Sequence, residues 1–196
     1  MPADLVPDAP SRRYAVFLRG VNVGGVTVRM AELRELLAEL PVSDVATVLA
    51  SGNVTCSSAL EPAALKGSVE RALGARFGYT AWVIVVGAAE LGAITASVPP
   101  PPPPPPGGTG VQGVQGVHTY VTLFTGTAEL AAFLEDARSA DLHPAVLTGG
   151  TAIGWFSPRG QSTEVPLARL LARTRYAATS TTRNINTLGR VLRLLA

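Results

Sequence analysis

Cysteine is nearly missing from this chain, and histidine and aromatic side chains are scarce. One cysteine, Cys56, excludes an internal disulfide, and two histidines beside it are too few to suggest a structural zinc centre, so no metal site is expected. Cys56 lies in a strand-like run, where a small buried thiol is the plain expectation. No apolar stretch reaches the roughly 20 residues that a membrane span requires. The longest, "AWVIVVGAAELGAI", also contains Glu90. The N-terminal "MPADLVPDAPSRR" places three prolines and two aspartates ahead of its arginines, so the basic start and apolar middle of a secretory signal are absent. Residues 1–13 therefore read as a loose tail on a cytoplasmic protein with no membrane partner.

What is present is an apolar chain of 196 residues, 47% hydrophobic and 15% charged. A chain of that size buries roughly 70% of the surface its unfolded form exposes, as one compact domain or two small ones. The net charge of +2 hides an asymmetry: Arg159 to the end carries seven arginines and one acid, a formal +6, against a formal −4 before it. Such a segment suits an anionic partner, and it equally suits a solvated helix face.

Periodicity gives one plan used twice. Tyr14 to Val21 is an apolar run of strand length, followed by a helix with Met30, Leu33, Leu37 and Leu40 on one face and Pro41 closing it. "VATVLA" and "NVTCSS" flank Ser51-Gly52 as a hairpin. Pro62 opens a second helix with Leu65, Val69, Leu73 and Phe77, and Gly78 follows its end. The strand "YTAWVIVV" and a short helix from Ala88 to Thr95 complete this half. The order then returns as strand "VHTYVTLF", a helix with Leu130, Phe133, Leu134 and Ala137, and a hairpin "AVLTGGTAIGWF" turning at Gly149-Gly150. A helix from Glu164 to Arg173, a short strand near "YAATST", and a last helix with Ile185, Leu188, Leu192 and Leu195 follow. The expected fold is α+β: two ferredoxin-like βαββαβ subdomains in tandem, at residues 14–98 and 117–196, each followed by an extra helix. Between them, residues 99–116 hold eight consecutive prolines and a glycine-rich tract, a stiff polyproline spacer with a flexible end.

The stretch "RGVNVGGVTVRM" is the first that could carry chemistry. Gly20 and Gly25 have P-loop spacing, but the lysine that would follow is Val26, and the dinucleotide pattern would need glycine where Asn22 stands. A glycine-rich strand-to-helix turn is left, with Arg19 before it and Arg29 at the helix start. Backbone donors there favour an anion, which Arg19 or Arg29 would pair. Alternatively the glycines only supply left-handed backbone, Asn22 makes a turn bond and Thr27 caps the helix. With strand order 4-1-3-2, the end of the first strand and the hairpin turn share one edge, which gathers Arg19, Asn22, Gly24, Gly25, Ser51 and Asn53 on one rim. A third cluster, "TSTTRNINT", is expected to begin the last helix, with Thr181 or Thr182 as cap and Arg183 and Asn184 in the first turn. Thr182, Arg183 and Asn184 are candidates to close the rim if the halves pack in inverted orientation. No Ser/His elbow, paired carboxylate or Cys/His cluster appears, so no catalytic residue or cofactor is assigned and enzymatic activity is left open. Base stacking on the sheet would need aromatics on the central strands. Only Tyr14 and Phe17 are available, and they fall on opposite faces.

Taken together, "YAVFLRGVNVGGVTVRMAELRELL", "SGNV" and "TTRNINT" resemble the bacterial family of proteins of unknown function DUF1697, over nearly the whole chain. The resemblance implies a small cytoplasmic protein of two ferredoxin-like subdomains, with no established activity, cofactor or substrate. Two departures stand out: Ile185 stands where the family usually has an aromatic after "TTRN", which counts against a stacking role there, and the proline octet expands a plain linker. Two functional readings follow. One is a binding protein for a phosphate-bearing or other anionic ligand, a nucleotide or nucleic acid, at the rim. The other is a structural or interaction module whose motifs only fix loops and the subdomain interface.

Overall fold

The computed structural model describes residues 10–19, 28–49, 52–78, 80–102 and 116–196. They divide into two compact units, one comprising the described residues up to Leu91 with Arg190–Ala196, the other Gly92–Gly189.

The first unit contains β1 (Arg12–Arg19), α1 (Met30–Ala38), β2 (Ser43–Val48), β3 (Asn53–Ser58), α2 (Pro62–Phe77), β4 (Trp82–Gly87) and the start of α3 (Ala88–Ala96). Its strands form one antiparallel sheet in the order β2-β3-β1-β4. Alternation along β1 sends Tyr14, Val16 and Leu18 to one face, where they meet Val54, Cys56 and Val83 and pack on Leu33 and Leu37 of α1 and Leu65, Val69 and Leu73 of α2. Each such side chain, fully buried, contributes about 1.5–3 kcal/mol. Pro62 sits in the first turn of α2, where its missing N–H leaves no bond unmade, and Gly78 ends the helix at φ 68°. On the opposite face of β1, the Arg13 guanidinium donates to the Leu194 carbonyl.

The second unit contains the rest of α3, then β5 (Val117–Phe124), α4 (Thr127–Ser139), β6 (Ala145–Val146), β7 (Ala152–Pro158), α5 (Pro166–Leu171), α6 (Thr174–Ala177), β8 (Ser180–Asn184) and the start of α7 (Ile185–Leu195). The order β6-β7-β5-β8 repeats the first sheet. Phe124, Ile153 and Trp155 pack on Leu130, Phe133 and Ala137 of α4 and on Leu167, Leu170 and Leu171 of α5. The molecule is thus α+β with the split βαββαβ arrangement built twice and a further helix after each.

Two expectations need correction here. The helix expected from Glu164 to Arg173 is shorter, and a separate helical turn, Thr174–Ala177, follows it. The first of these, α5, starts only at Pro166, whose fixed φ suits the first turn, and ends at Ala172. The strand expected near residues 176–181 lies later, at Ser180–Asn184, so Arg183 and Asn184 are not in the first turn of the last helix. Residues 174–177 are helical instead. The β-branched Thr181 and Thr182 continue as strand through Asn184, paired with β5 from Phe124↔Ser180 to Tyr120↔Asn184. The Asn184 Oδ1 then accepts the Asn186 N–H at 2.9 Å, so Asn184 caps α7. Among the described residues, no helix is long and apolar enough to cross a membrane.

Candidate functional site

In the first unit, Phe17 stands opposite Asn53, and one residue on the Leu18 N–H donates to the Gly52 carbonyl at 2.7 Å. The end of β1 and the β2–β3 turn therefore meet. Of the rim residues, Asn22, Gly24, Gly25 and Ser51 lie outside the described residues, as does Thr27.

Arg19 ends β1 and stands opposite Trp82, the first residue of β4. Its guanidinium carbon is 5.8 Å from the indole centroid, within cation–π range. Partial burial lowers the Arg19 pKa from its ordinary value, and a less hydrated cation attracts an anion more strongly. Trp82 falls in the strand run "YTAWVIVV", where periodicity alone attaches no function to it. The antiparallel pairing of the first and last strands was the signal that could have placed it beside Arg19. Arg29 is exposed at the N-cap of α1, with extended backbone (φ −74°, ψ 138°) and no side-chain capping bond. Asn53 is fully buried, and its Nδ2 donates to the Val48 carbonyl at 2.9 Å across the hairpin. Tyr14 and Phe17 are buried at 2% and 0% exposure, so neither offers a surface for base stacking.

The three C-terminal candidates belong to the second unit, and strand alternation separates them. Thr182 and Asn184 share the face of β8 that carries Tyr120 and Thr122 on β5. Arg183 points the other way, donating to Thr181 Oγ1 at 2.7 Å and to the Thr182 carbonyl at 2.9 Å. The Thr182 hydroxyl shares a 2.8 Å hydrogen bond with Thr122, whose oxygen also accepts the Trp155 indole N–H at 2.9 Å. The Asn184 Nδ2 lies 3.1 Å from His118 Nδ1. His118 stacks over Tyr120, and Tyr120 over Trp155 with centroids 4.7 Å apart. Because β8 runs against β5, this cluster lies at the opposite end of its sheet from the Gly149-Gly150 turn, where the Phe124 N–H donates to Thr151.

Burial, opposed slightly by Arg13, pushes the Cys56 thiol up to about 11 and leaves it unreactive at neutral pH. Among the described residues, neither histidine bonds to a hydroxyl or thiol: His118 meets Asn184 and Arg159, and His143 meets Asp141. What these residues offer is positioning and charge rather than an activated nucleophile.

The fold is shared with a solved conserved bacterial protein from Streptococcus pneumoniae, with a TM-score of 0.72 at 21% identity, covering 95% of this chain and 100% of that one. Comparison with curated proteins finds no match. A family model matches residues 12–141, more than half of the sequence and spanning β1, the rim and the first half of the second unit; this chain belongs to the family of proteins of unknown function DUF1697.

Proposed function

We propose that the protein binds a phosphate-bearing or other anionic ligand at the end of β1. The observation that carries this reading is the Arg19–Trp82 pair: a half-buried guanidinium held against an indole, on the strand whose next residues are glycine-rich and whose neighbour is the β2–β3 turn. Stacking fixes the guanidinium plane, and the fork geometry of a guanidinium matches phosphate oxygens. Inorganic phosphate and a nucleotide panel, titrated into the protein and followed by thermal shift, test it. Saturable stabilisation is expected, lost in Arg19→Gln and weakened in Trp82→Leu. An unresponsive wild type, or a response that Arg19→Gln keeps in full, overturns it.

A second reading is favoured by a different observation. The buried Asn53 amide closes its own hairpin and Asn184 caps α7, each using its polar groups inside the fold. On this reading the protein is a structural or interaction module. Asn53→Ala then lowers stability by about 1–3 kcal/mol, the cost of a buried carbonyl left without its donor, while no anion in the panel shifts the melting temperature.

A further inference from the structure

The second unit carries an opening of its own. Between the end of α4 and α5 lies a cavity of about 280 Å³, lined by Ala140, Leu142, Pro166, Arg169, Leu170 and Arg173. Its floor is aliphatic: Leu170 is buried at 4% exposure, and Leu142 packs on the same core cluster. Its charged lining is two exposed guanidinium side chains, Arg169 and Arg173.

Charge does not balance around it. Asp136 faces Arg173 at 3.9 Å and Arg175 at 3.3 Å, and the same carboxylate oxygen accepts the Tyr176 hydroxyl at 2.7 Å. One carboxylate thus serves two guanidinium groups and a phenol. Arg169 makes no ion pair among the described residues. Positive charge is left in excess beside an apolar floor, in the part of the sequence where arginine outnumbers acid seven to one.

Size and lining together select the occupant. The cavity is at the small end of ligand sites, which run to roughly 300–1,000 Å³, and a helix about 10 Å across does not fit it. Inorganic phosphate would satisfy the arginines but leave the leucines wet, whereas a carboxylate on a short hydrocarbon body uses both. We infer that this cavity binds a small aliphatic monocarboxylate, its carboxylate held by Arg169 and Arg173 and its hydrocarbon against Leu142 and Leu170.

The test uses the full chain and isovalerate as probe, read by calorimetry and by amide shifts of Leu142 and Leu170. Isovaleramide, inorganic phosphate and a polyglutamate peptide are the comparison ligands. Saturable binding of isovalerate is expected, with no response to the amide and none to phosphate at these two amides. Arg169→Gln, which breaks no ion pair, weakens binding at least about tenfold, and Ala140→Trp, at an exposed helix end, blocks it. Arg19→Gln leaves it unchanged, so failure of this site and failure of the first-unit rim are separable. An equal response to isovaleramide, full affinity in Arg169→Gln, or a response to polyglutamate alone overturns the inference, the last by assigning the surface to an acidic polypeptide.

Discussion

The two sheets have the same strand order and the same joint at the end of their central strand. Leu18 donates to Gly52 at 2.7 Å in the first and Phe124 to Thr151 at 2.8 Å in the second. Their interiors are otherwise different. Under α1 and α2 the first sheet presents Tyr14, Val16, Leu18, Val54 and Cys56, and the Tyr14 hydroxyl donates to the Leu60 carbonyl at 2.9 Å. Of its buried polar residues, Asn53, Thr55 and Ser57 fall on the opposite face, while Ser58, on the Tyr14 side, donates to the Pro41 carbonyl at 2.9 Å. The second sheet instead carries the Trp155–Thr122–Thr182 network on the face beneath its helices. Topology is therefore repeated while polar satisfaction is solved separately in each unit. The repeated backbone needs only the alternation of apolar residues, which many side-chain sets supply.

The largest test of this contrast removes an aromatic from the second interior. Phe133 is fully buried between Phe124 and Tyr176, with centroids at 5.3 and 5.0 Å. Phe133→Ala is expected to cost about 3–5 kcal/mol in chemical denaturation. Trp155→Ala costs a similar amount, and Trp155→Phe much less, because the ring volume is largely kept and only the indole donor is lost. Equal losses for Trp155→Phe and Trp155→Ala would show that the hydrogen bond, not the packing, dominates there.

Next come the polar anchors, one from each unit. Asn53→Ala strands the Val48 carbonyl, and Thr122→Val strands the Trp155 N–H and the Thr182 hydroxyl. Each is expected to lose about 1–3 kcal/mol. If the networks are independent, the double variant loses the sum of the two within about 0.5 kcal/mol. A clear excess or deficit would show that the two units are energetically coupled.

A third comparison uses alkaline pH. The Cys56 thiol in the first unit is raised from 9.0 to about 11 by burial. The Tyr176 phenol in the second is raised from 10.0 to about 12, by burial first and then by its bond to Asp136. In both, the unfolded chain gives up its proton at lower pH than the folded one. Each contribution is thus complete below the ordinary value and is lost as pH climbs through the folded value. Denaturant titrations should show stability falling between about pH 9 and 12, with Cys56→Ala flattening the early part and Tyr176→Phe the part above about pH 10.

Much of this was legible in the sequence, and the limits have physical causes. The strands, α2 with its Pro62 start and Gly78 stop, and the meeting of β1 with the hairpin turn follow from periodicity, turn residues and strand order. The segment from Glu164 to Asn184 did not, because the leucine spacing that marks α5 does not fix where that helix starts or stops, and "TRYA" of α6 carries no apolar periodicity of its own. The Thr182-Arg183-Asn184 trio was read as a helix start because threonine and asparagine favour caps. Asn184 does cap α7, but pairing with β5 keeps the preceding residues extended. Trp82 was passed over because composition cannot tell a core tryptophan from one that supports an arginine.

The smallest expected effects lie in the two hairpin turns, which reach their reversals differently. The second uses glycine at both left-handed positions, Gly149 at φ 90° and Gly150 at φ 66°. The first has Gly52 at φ 69° but also Leu49, 49% exposed, at φ 59°. A left-handed backbone costs an L-residue roughly 1–2 kcal/mol, and glycine avoids that at an entropic cost of about 0.5–1 kcal/mol. Gly150→Ala, whose new methyl would come no closer than 4.0 Å to Thr127, is therefore expected to lose about 1 kcal/mol from backbone strain alone. Leu49→Gly in the first turn should gain about 0.5 kcal/mol, a rise in melting temperature of a few degrees or less. If Leu49→Gly instead destabilises the protein, the exposed leucine makes contacts that outweigh its strained backbone, and the first turn is held by its side chain where the second is held by its glycines.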